Sequence, residues 1–272
     1  GRIDKMEYET IDYISNLQKV TKENERVGTE LKLAKEIQES VLTTEFPDNS
    51  EYSIYAKMIP AKEVGGDFYD FYLIDENHLV LSIADVAGKG VPAALFMMVT
   101  KALITASALN HKKPSEILTA VNKQICSKNK TNMFITVWLG ILDLKTGQLI
   151  YSNAGHEHPA IYRKNGNFNI EKGKNGIVIG ASDNYEFKDK EIQLEQGDKI
   201  FLYTDGVPEA TNDKNEMFGL ERMLKSLNNN ANEDMKAILE NVKSDIDRFV
   251  NYGEQFDDIT MLGLEFKGRN EV

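Results

Sequence analysis

The spacing of hydrophobic and polar residues changes near residue 42, and this change divides the chain into two parts. Residues 1–42 contain no proline and follow a seven-residue repeat, which is typical of a coiled-coil helix. One repeating position holds Ile3, Thr10, Leu17, Asn24, Leu31 and Gln38, and the other holds Met6, Tyr13, Val20, Val27, Ala34 and Val41. The pattern predicts a coiled-coil linker helix over 1–42 and a separate domain over 43–268.

This repeat is weak, because half of its first position is polar. A polar residue such as Asn24 at a repeat position, in the seam between two helices, favours a parallel two-helix coiled coil at some cost in stability. We therefore expect a parallel homodimer with contacts at Leu17, Val20, Asn24, Val27 and Leu31. A single amphipathic helix packed on its own domain is the alternative.

Short apolar or alternating runs of strand length follow residue 46. The predicted strands are 52–59, 67–74, 78–84, 134–142, 149–152, 199–203 and 259–266. Helical spacing predicts helices at 91–109, 114–127 and 232–250. Strands in runs and helices in pairs indicate an α+β fold built in layers. The stretch 163–184, which is rich in glycine and poor in apolar residues, is predicted to be a mobile flap or an excursion from the core.

A length of 272 residues suits one large domain with a tail, or two small domains. The net charge of −11 repels polyanions and argues against binding of nucleic acid or of an anionic membrane surface. Such an acidic chain can, however, hold divalent cations. The longest apolar run, 91–99, is well short of the roughly 20 residues that span a bilayer, so no membrane contact is expected of this segment.

Cys126 is the only cysteine, and a single cysteine forms no internal disulfide. This composition predicts a reducing, cytoplasmic compartment. The chain begins with Gly and shows no signal-peptide pattern. We expect it to be a piece of a longer protein, with a sensor domain or a membrane anchor upstream.

Acidic residues recur where a predicted strand meets a turn. Asp67, Asp85, Asp205 and the pair Asp257 and Asp258 all have this setting. Since the strand ends of a layered fold gather at an edge of the core, these carboxylates can converge although they are far apart in sequence. Mg²⁺ and Mn²⁺ prefer oxygen ligands, and clustered Asp side chains supply them.

Glycines strengthen this interpretation. Gly88 and Gly90 allow a tight turn after Asp85, which brings a backbone carbonyl such as that of Val86 towards a cation. The alternative for any single Asp is that it only caps its turn. Four such places together favour a metal site.

Five motifs occur in an order that resembles a known protein family. They are VGGDFYD at 64–70, ADVAGKG at 84–90, NAGH at 153–156, YTDGVPEA at 203–210 and DDIT at 257–260. This ordered set resembles the bacterial metal-dependent serine/threonine protein phosphatases of the PPM, type-2C-like class. The branch is that of the sporulation stage II E phosphatase and the sigma-B regulator phosphatases. The resemblance covers about 31–266.

The resemblance implies an α-β-β-α sandwich of two antiparallel sheets flanked by helix pairs, with two Mn²⁺ or Mg²⁺ ions at the sheet edge. By position, Asp85 matches the carboxylate that bridges both metals, and the carbonyl of Val86 matches a further ligand. Asp205 and Asp257 match ligands of the second metal. Asp67 matches the residue that orients water on the first.

Two points of this match stay open. Asp257 and Asp258 are adjacent, and the motif alignment favours Asp257 as the ligand without excluding Asp258. No arginine stands beside the Asp67 motif to grip phosphate, as it does in the eukaryotic relatives, and only Lys57 and Lys62 are nearby. The residues that contact the substrate phosphate are therefore unassigned.

The chemistry of such a site is hydrolysis of a phosphoserine or phosphothreonine ester by a metal-bridging hydroxide. No covalent phosphoenzyme is needed, so Cys126 has no catalytic part. His156 is a candidate general acid, although a structural role is the more common one for a His in such a turn.

The resemblance implies a phosphorylated regulatory protein as substrate, of the anti-sigma-factor antagonist type, and control by an upstream sensor. Two other functions remain as alternatives. One is a non-catalytic partner-binding module on the same fold. The other is a cyclic-dinucleotide synthase, whose Gly-Gly-Asp-Glu-Phe hairpin resembles residues 65–69, although Phe68 stands at its acidic position.

Overall fold

The computed structural model describes residues 2–47, 49–110, 113–164, 166–251 and 253–269, with only the backbone of 2–10. The chain separates into two compact units, Gly1–Val41 and Leu42–Val272. The first unit contains one helix of 40 residues, α1 (Arg2–Val41). The seam positions Ile3, Met6 and Thr10 belong to this helix, but their side chains lie outside the described part.

The second unit contains two five-stranded antiparallel sheets within the described residues. The strands are β1 (Tyr52–Ile59), β2 (Phe68–Leu73), β3 (His78–Val86), β4 (Ile135–Asp143), β5 (Gln148–Ala154), β6 (Ala160–Tyr162), β7 (Phe168–Ile170), β8 (Lys190–Gln193), β9 (Lys199–Tyr203) and β10 (Ile259–Phe266). One sheet has the order β1-β10-β9-β6-β7, and the other has the order β2-β3-β4-β5-β8. All seven predicted strands are present.

Two helix pairs accompany these sheets. The helices are α2 (Val91–Ala108), α3 (Pro114–Lys128), α4 (Gly219–Asn229) and α5 (Met235–Val250). Pro92 and Pro114 stand in the first turns of α2 and α3, where a missing N–H breaks no helical hydrogen bond. Asp234 caps α5 by accepting a hydrogen bond from the backbone N–H of Ala237.

Three apolar clusters define the layers. The inner faces of both sheets share one cluster, which includes Leu81, Trp138, Leu202 and Leu264. A second cluster lies between the β2-β3-β4-β5-β8 sheet and the pair α2 and α3. A third lies between the other sheet and the pair α4 and α5. The predicted sandwich of two antiparallel sheets between helix pairs is therefore confirmed.

The stretch 163–184, predicted as a mobile flap or an excursion, is anchored to the core at two points. Phe168 in β7 is buried, and its ring centroid lies 5.3 Å from that of Tyr162. Ile179 is also buried and pairs with Ile135 by backbone hydrogen bonds in both directions. A few well-placed apolar side chains are thus enough to hold parts of a glycine-rich segment against the core.

Among the described residues, α2 is the one helix whose length and composition would allow it to cross a membrane. This is weak evidence, since the core helix of a globular domain has the same properties. Ala93, Met97 and Ile104 on its inner face are buried in the second apolar cluster.

Candidate active site

Antiparallel pairing brings four strand ends to one edge of the sandwich. Phe68 pairs with Ala84, which sets Asp67 and Asp85 side by side. Tyr203 pairs with Met261, so the segments that carry Asp205 and Asp257 leave the other sheet together. A cleft at this edge is lined by Asp85, Val86, Ala87, Gly88, Lys89, Phe134, Thr136, Asp205 and Asp257.

The turn after Asp85 has the backbone that its glycines predict. Gly88 and Gly90 adopt φ angles of 101° and 74°, which residues other than glycine rarely adopt. The turn places Val86 at the cleft and starts α2 immediately afterwards.

Asp67 and Asp85 form a close carboxyl pair. Asp67 is 1% exposed, and burial together with the charges of Asp85 and Asp258 raises the pKa of Asp67 well above its usual range. Burial raises the pKa of Asp85 to about 6, and a hydrogen bond from the Asp67 carboxyl opposes that rise. The Thr204 hydroxyl donates to Asp67 Oδ2 at 2.7 Å and fixes its orientation.

Asp205 stands opposite this pair, in the turn after β9. Burial, followed by repulsion from Asp85, Glu209 and Asp257, raises the pKa of Asp205 to about 7. The pKa values of Asp67, Asp85 and Asp205 are all raised, and Lys89 carries the one positive charge among the described residues that line the cleft. Such an arrangement attracts a cation and is typical of functional sites.

Asp257 and Asp258 have different surroundings. Asp258 is buried, and its two carboxylate oxygens accept hydrogen bonds from the backbone N–H groups of Ala61 at 2.7 Å and Gly66 at 2.6 Å. Asp257 lines the cleft and is 36% exposed. Asp258 thus holds the segment before β2 in place, and this arrangement favours Asp257 as the ligand.

Lys89 is the one Lys or Arg among the described residues that line the cleft. Its ammonium forms an ion pair with Asp257 Oδ2 at 2.9 Å and donates to the backbone carbonyl of Phe256. Lys57, one of the two lysines considered from the sequence, is instead paired with Glu240 at 2.9 Å. Any cation that binds Asp257 must therefore compete with Lys89.

His156 is fully enclosed. One ring nitrogen lies 2.8 Å from the Thr136 hydroxyl, and the other lies 3.1 Å from the Tyr203 carbonyl. Burial lowers the pKa of His156 to about 3, so the ring is neutral at physiological pH. These contacts fit a structural role, in which the His joins the two sheets behind the carboxylates. Cys126 lies on α3 and is not among the residues that line the cleft.

Whether these residues suit a divalent cation follows from their chemistry and spacing. The donors are oxygens throughout, as Mg²⁺ and Mn²⁺ require. Among the described residues, however, no three His, Cys, Asp or Glu side chains meet as a preformed metal site. The set fits in chemistry, and a bound cation would have to draw the mutually repelling carboxylates closer together.

Sequence reasoning missed Thr204, Thr136 and Lys89. Thr204 and Lys89 lie inside two of the five motifs, but the sequence does not show that Thr204 contacts Asp67 or that Lys89 contacts Asp257. Thr136 lies in the predicted strand 134–142, and its pairing with Asp85 in the neighbouring strand places it at the cleft. Contacts of this kind depend on which strands pair and in which register, and this is not visible when each strand is read by itself.

Comparison with known families gives a match to the model described as Stage II sporulation protein E (SpoIIE), over residues 75–267. Phosphoserine phosphatase RsbU of Bacillus subtilis is 29% identical over 245 residues, with 89% of this chain and 72% of RsbU aligned. Protein IcfG of Synechocystis is 30% identical over 263 residues, with 86% of this chain aligned. This chain covers only 41% of IcfG.

Solved structures share the fold. The SiaA-PP2C domain of Pseudomonas aeruginosa superposes with a TM-score of 0.77 at 24% identity, over 89% of this chain and 98% of that domain. RsbX, solved in complex with magnesium, has a TM-score of 0.61 at 16% identity, over 82% of this chain and 98% of RsbX. The sandwich is thus a fold already known in several bacterial proteins.

Proposed function

Since this chain belongs to the SpoIIE family of PP2C-type phosphatase domains, we propose that it hydrolyses phosphoserine or phosphothreonine on a regulatory protein with the help of two Mn²⁺ or Mg²⁺ ions. The observation that carries the proposal is the convergence of Asp67, Asp85, Asp205 and Asp257 from four separate motifs. The family is metal-dependent, and the magnesium in RsbX supports the same class of ion here.

Asp85 interacts with Asp67 and also with Asp205 and Asp257, so its carboxylate would be the one to contact both cations. Asp205 and Asp257 would hold the second ion, and the Val86 carbonyl would add a ligand near Asp85. Asp67, fixed by Thr204, would orient water beside the first ion. Bound divalent cations would neutralise phosphate charge and lower the pKa of water, so that hydroxide is available near neutral pH to displace the serine or threonine oxygen from phosphorus.

The chain's own residues complete this assignment. The buried, neutral His156 donates no proton to the leaving serine oxygen, so a general acid is not assigned to it. Cys126 plays no part, since it lies away from the cleft. Lys89 supplies the positive charge closest to Asp257 and is the one side chain of the described cleft lining that can balance added phosphate.

The proposal is tested by hydrolysis of para-nitrophenyl phosphate and of a phosphoserine peptide, with Mn²⁺, with Mg²⁺ and with excess chelator. We expect activity that is lost with chelator and restored by either ion. Full activity in excess chelator would overturn the mechanism. Absence of activity under every condition would favour the non-catalytic module, and product formation from GTP would favour the cyclase.

The substrate we propose is a phosphorylated protein of the anti-sigma-factor antagonist type, in a cytoplasmic signalling pathway. Support comes from RsbU, whose name states that it is a phosphoserine phosphatase. The single cysteine fits a reducing compartment. A phosphoproteomic comparison of cells with and without active enzyme would identify the substrate as the phosphosite that accumulates when Asp85 is replaced by Asn.

We also propose that α1 is a regulatory dimerisation helix. Its seam side chains Leu17, Val20 and Val27 are 47%, 57% and 41% exposed, and Asn24 is also exposed, while Leu31 is half-buried. A repeat of exposed apolar side chains is what a parallel partner helix would cover. Because the seam is partly polar, pairings of similar free energy are available to an upstream sensor.

Sedimentation velocity of the intact chain and of a chain lacking residues 1–30 tests this role. We expect a dimer for the first and a monomer for the second. Asn24→Leu should tighten the dimer and change the phosphatase rate, while Asn16→Leu provides a matched change outside the repeat. A monomeric intact chain would contradict the proposal.

A further inference from the structure

A groove of about 670 Å³ lies beside the carboxylate cleft, and the proposed chemistry does not use it. It is formed by residues of segment 206–217, by residues 253–257 and Ile259, and by the last turns of α5 with Asn251. Asp257 lines both the groove and the cleft, so the groove opens directly onto the site of hydrolysis. We propose that this groove binds the polypeptide next to the phosphoserine and selects a basic residue beside an apolar one.

The groove is acidic. No Lys, Arg or His occurs among its described lining residues, while Glu209, Asp247, Glu254 and Asp257 all line it. Lys243 pairs with Asp247, and Lys89 pairs with Asp257. Glu209 and Glu254 are exposed and form no ion pair with any described residue. Their charge is therefore available to a basic side chain of the substrate.

The groove also has an apolar wall. Met217 is 57% exposed and Phe256 is 76% exposed, although both are large hydrophobic side chains. They line the groove together with Ile246 and Val250. An exposed Phe and an exposed Met in one concave surface provide the anchor points on which a bound segment gains most of its free energy.

Hydrogen bonds hold the walls in position. Thr211 and Met217 form an antiparallel bridge across their loop. On the other side, the Gln255 amide donates to the carbonyls of Ile59 and Asp257, each at 2.8 Å. The groove is thus formed before any substrate arrives, which lowers the entropic cost of binding. Its position, charge and apolar wall together specify an extended peptide whose basic and apolar residues flank the phosphoserine.

This inference rests on the proposed phosphatase function, and peptide hydrolysis in Mn²⁺ tests both. Phosphoserine peptides carrying an Arg-Leu pair on either side are compared with matched peptides carrying Glu-Leu, Arg-Ala and Ala-Ala. We expect kcat/KM for the best Arg-Leu peptide to exceed that for its Glu-Leu counterpart about tenfold or more. Glu254→Lys should remove or invert this preference, and Phe256→Ala should remove the preference for Leu over Ala.

Two controls separate the inference from the function on which it rests. Hydrolysis of para-nitrophenyl phosphate, which lacks flanking residues, gives the basal rate of each groove variant, and the peptide preference is the ratio of kcat/KM between two peptides measured on that same variant. Glu76→Lys, an exposed change in the turn between β2 and β3, should leave the peptide preference as it is in the unaltered protein.

Equal rates for all peptides, or a preference that survives both groove substitutions, would overturn the groove while the phosphatase stands. A chain that hydrolyses neither substrate would overturn the phosphatase. In that event, binding of phosphonate analogues of the Arg-Leu and Glu-Leu peptides, followed by fluorescence anisotropy, decides the groove separately. Weaker binding of the Arg-Leu analogue to Glu254→Lys would support it, and equal binding would contradict it.

Discussion

Burial has opposite effects on stability in two regions of the molecule. One region is the space between the two sheets, and the other is the edge where the strands end. Leu202 between the sheets and Asp67 at the edge are each 1% exposed. Burial of Leu202 stabilises the fold, because its apolar surface leaves water among other apolar side chains. Burial of Asp67 destabilises the charged carboxylate, as the raised pKa of Asp67 shows. The core thus supplies the stability that lets the edge keep an unfavourable cluster of charges.

The largest effect is expected from the core. Leu202→Ala should lower the free energy of unfolding by about 3 kcal/mol, because it removes buried methyl groups and leaves a cavity. Urea denaturation of the metal-free protein measures this change. Leu220→Ala on α4, where the side chain is 42% exposed, is the matched control and should cost less than about 1 kcal/mol. A similar loss of unfolding free energy at both positions would show that Leu202 is less well packed than its burial indicates.

Next in size is the loss of a central carboxylate. Asp85→Asn should lower kcat by roughly a hundredfold or more, since electrostatic stabilisation of this kind is worth a few kcal/mol. Asp205→Asn should show a similar loss together with weaker binding of the second ion. Circular dichroism should show both variants folded, and Glu76→Gln, at the far end of the hairpin from Asp85, should retain full activity. A near-normal rate for Asp205→Asn at low Mn²⁺ would remove Asp205 from the site.

A smaller effect of opposite sign is expected at Asp67. Asp67→Asn should raise the stability of the metal-free protein by about 1 kcal/mol near pH 8 while abolishing activity, because the amide removes repulsion with Asp85 and Asp258. Thermal unfolding in chelator measures the shift. A lower melting temperature for the variant at pH 8 would contradict the idea that these charges destabilise the fold.

The pH dependence of the same measurement has a definite sign. The pKa values of Asp85 and Asp205, about 6 and about 7, lie above those of unfolded Asp, so the folded state binds more protons between about pH 4 and 7. These groups stabilise the metal-free fold below about pH 4, and this contribution is lost as the pH rises through 7. The gain from Asp67→Asn should therefore shrink at pH 5.

The smallest effect concerns Lys89. Lys89→Met should tighten Mn²⁺ binding a few-fold, because a half-exposed ion pair is worth only about 0.2–1 kcal/mol. Isothermal titration calorimetry measures the change. Lys57→Met, which removes an ion pair of similar exposure outside the cleft, should leave the affinity unaltered. Weaker Mn²⁺ binding in the Lys89 variant would show that this lysine supports the cation rather than competing with it.

The sequence predicts the parts of the fold that have long apolar runs. The bounds of β1, β9 and β10 agree with the predicted 52–59, 199–203 and 259–266. The strands β6, β7 and β8 were missed, because runs of three or four residues carry too little periodicity. The helix α4 was missed as well. It buries only Met223, Ser226 and Leu227, and one of these three is polar.

The candidate site also has a part that the sequence predicts and a part that only the structure shows. The turn setting identified Asp67, Asp85, Asp205 and Asp257, and the structure brings these residues to one edge. The different surroundings of Asp257 and Asp258 could not be read from the sequence, because they depend on which backbone N–H groups approach each carboxylate. The contact between Lys89 and Asp257 joins residues 168 positions apart and needs the packed sheets to form.

The tight enclosure of Asp258 has a consequence for how such domains diverge. A Cβ at Gly65 would lie 2.6 Å from Asp258 Oδ2, and one at Gly206 would lie 2.0 Å from the Asp258 carbonyl oxygen. These three positions therefore fit together through shape. A descendant that lost catalysis could replace Asp85 or Asp205 freely and still have to keep Gly65, Gly206 and Asp258. A relative that lacks Asp85 and Asp205 but keeps Gly65, Gly206 and Asp258 would thus be an inactive protein that still has this fold. A relative that lacks both sets would have lost the packing around Asp258 as well.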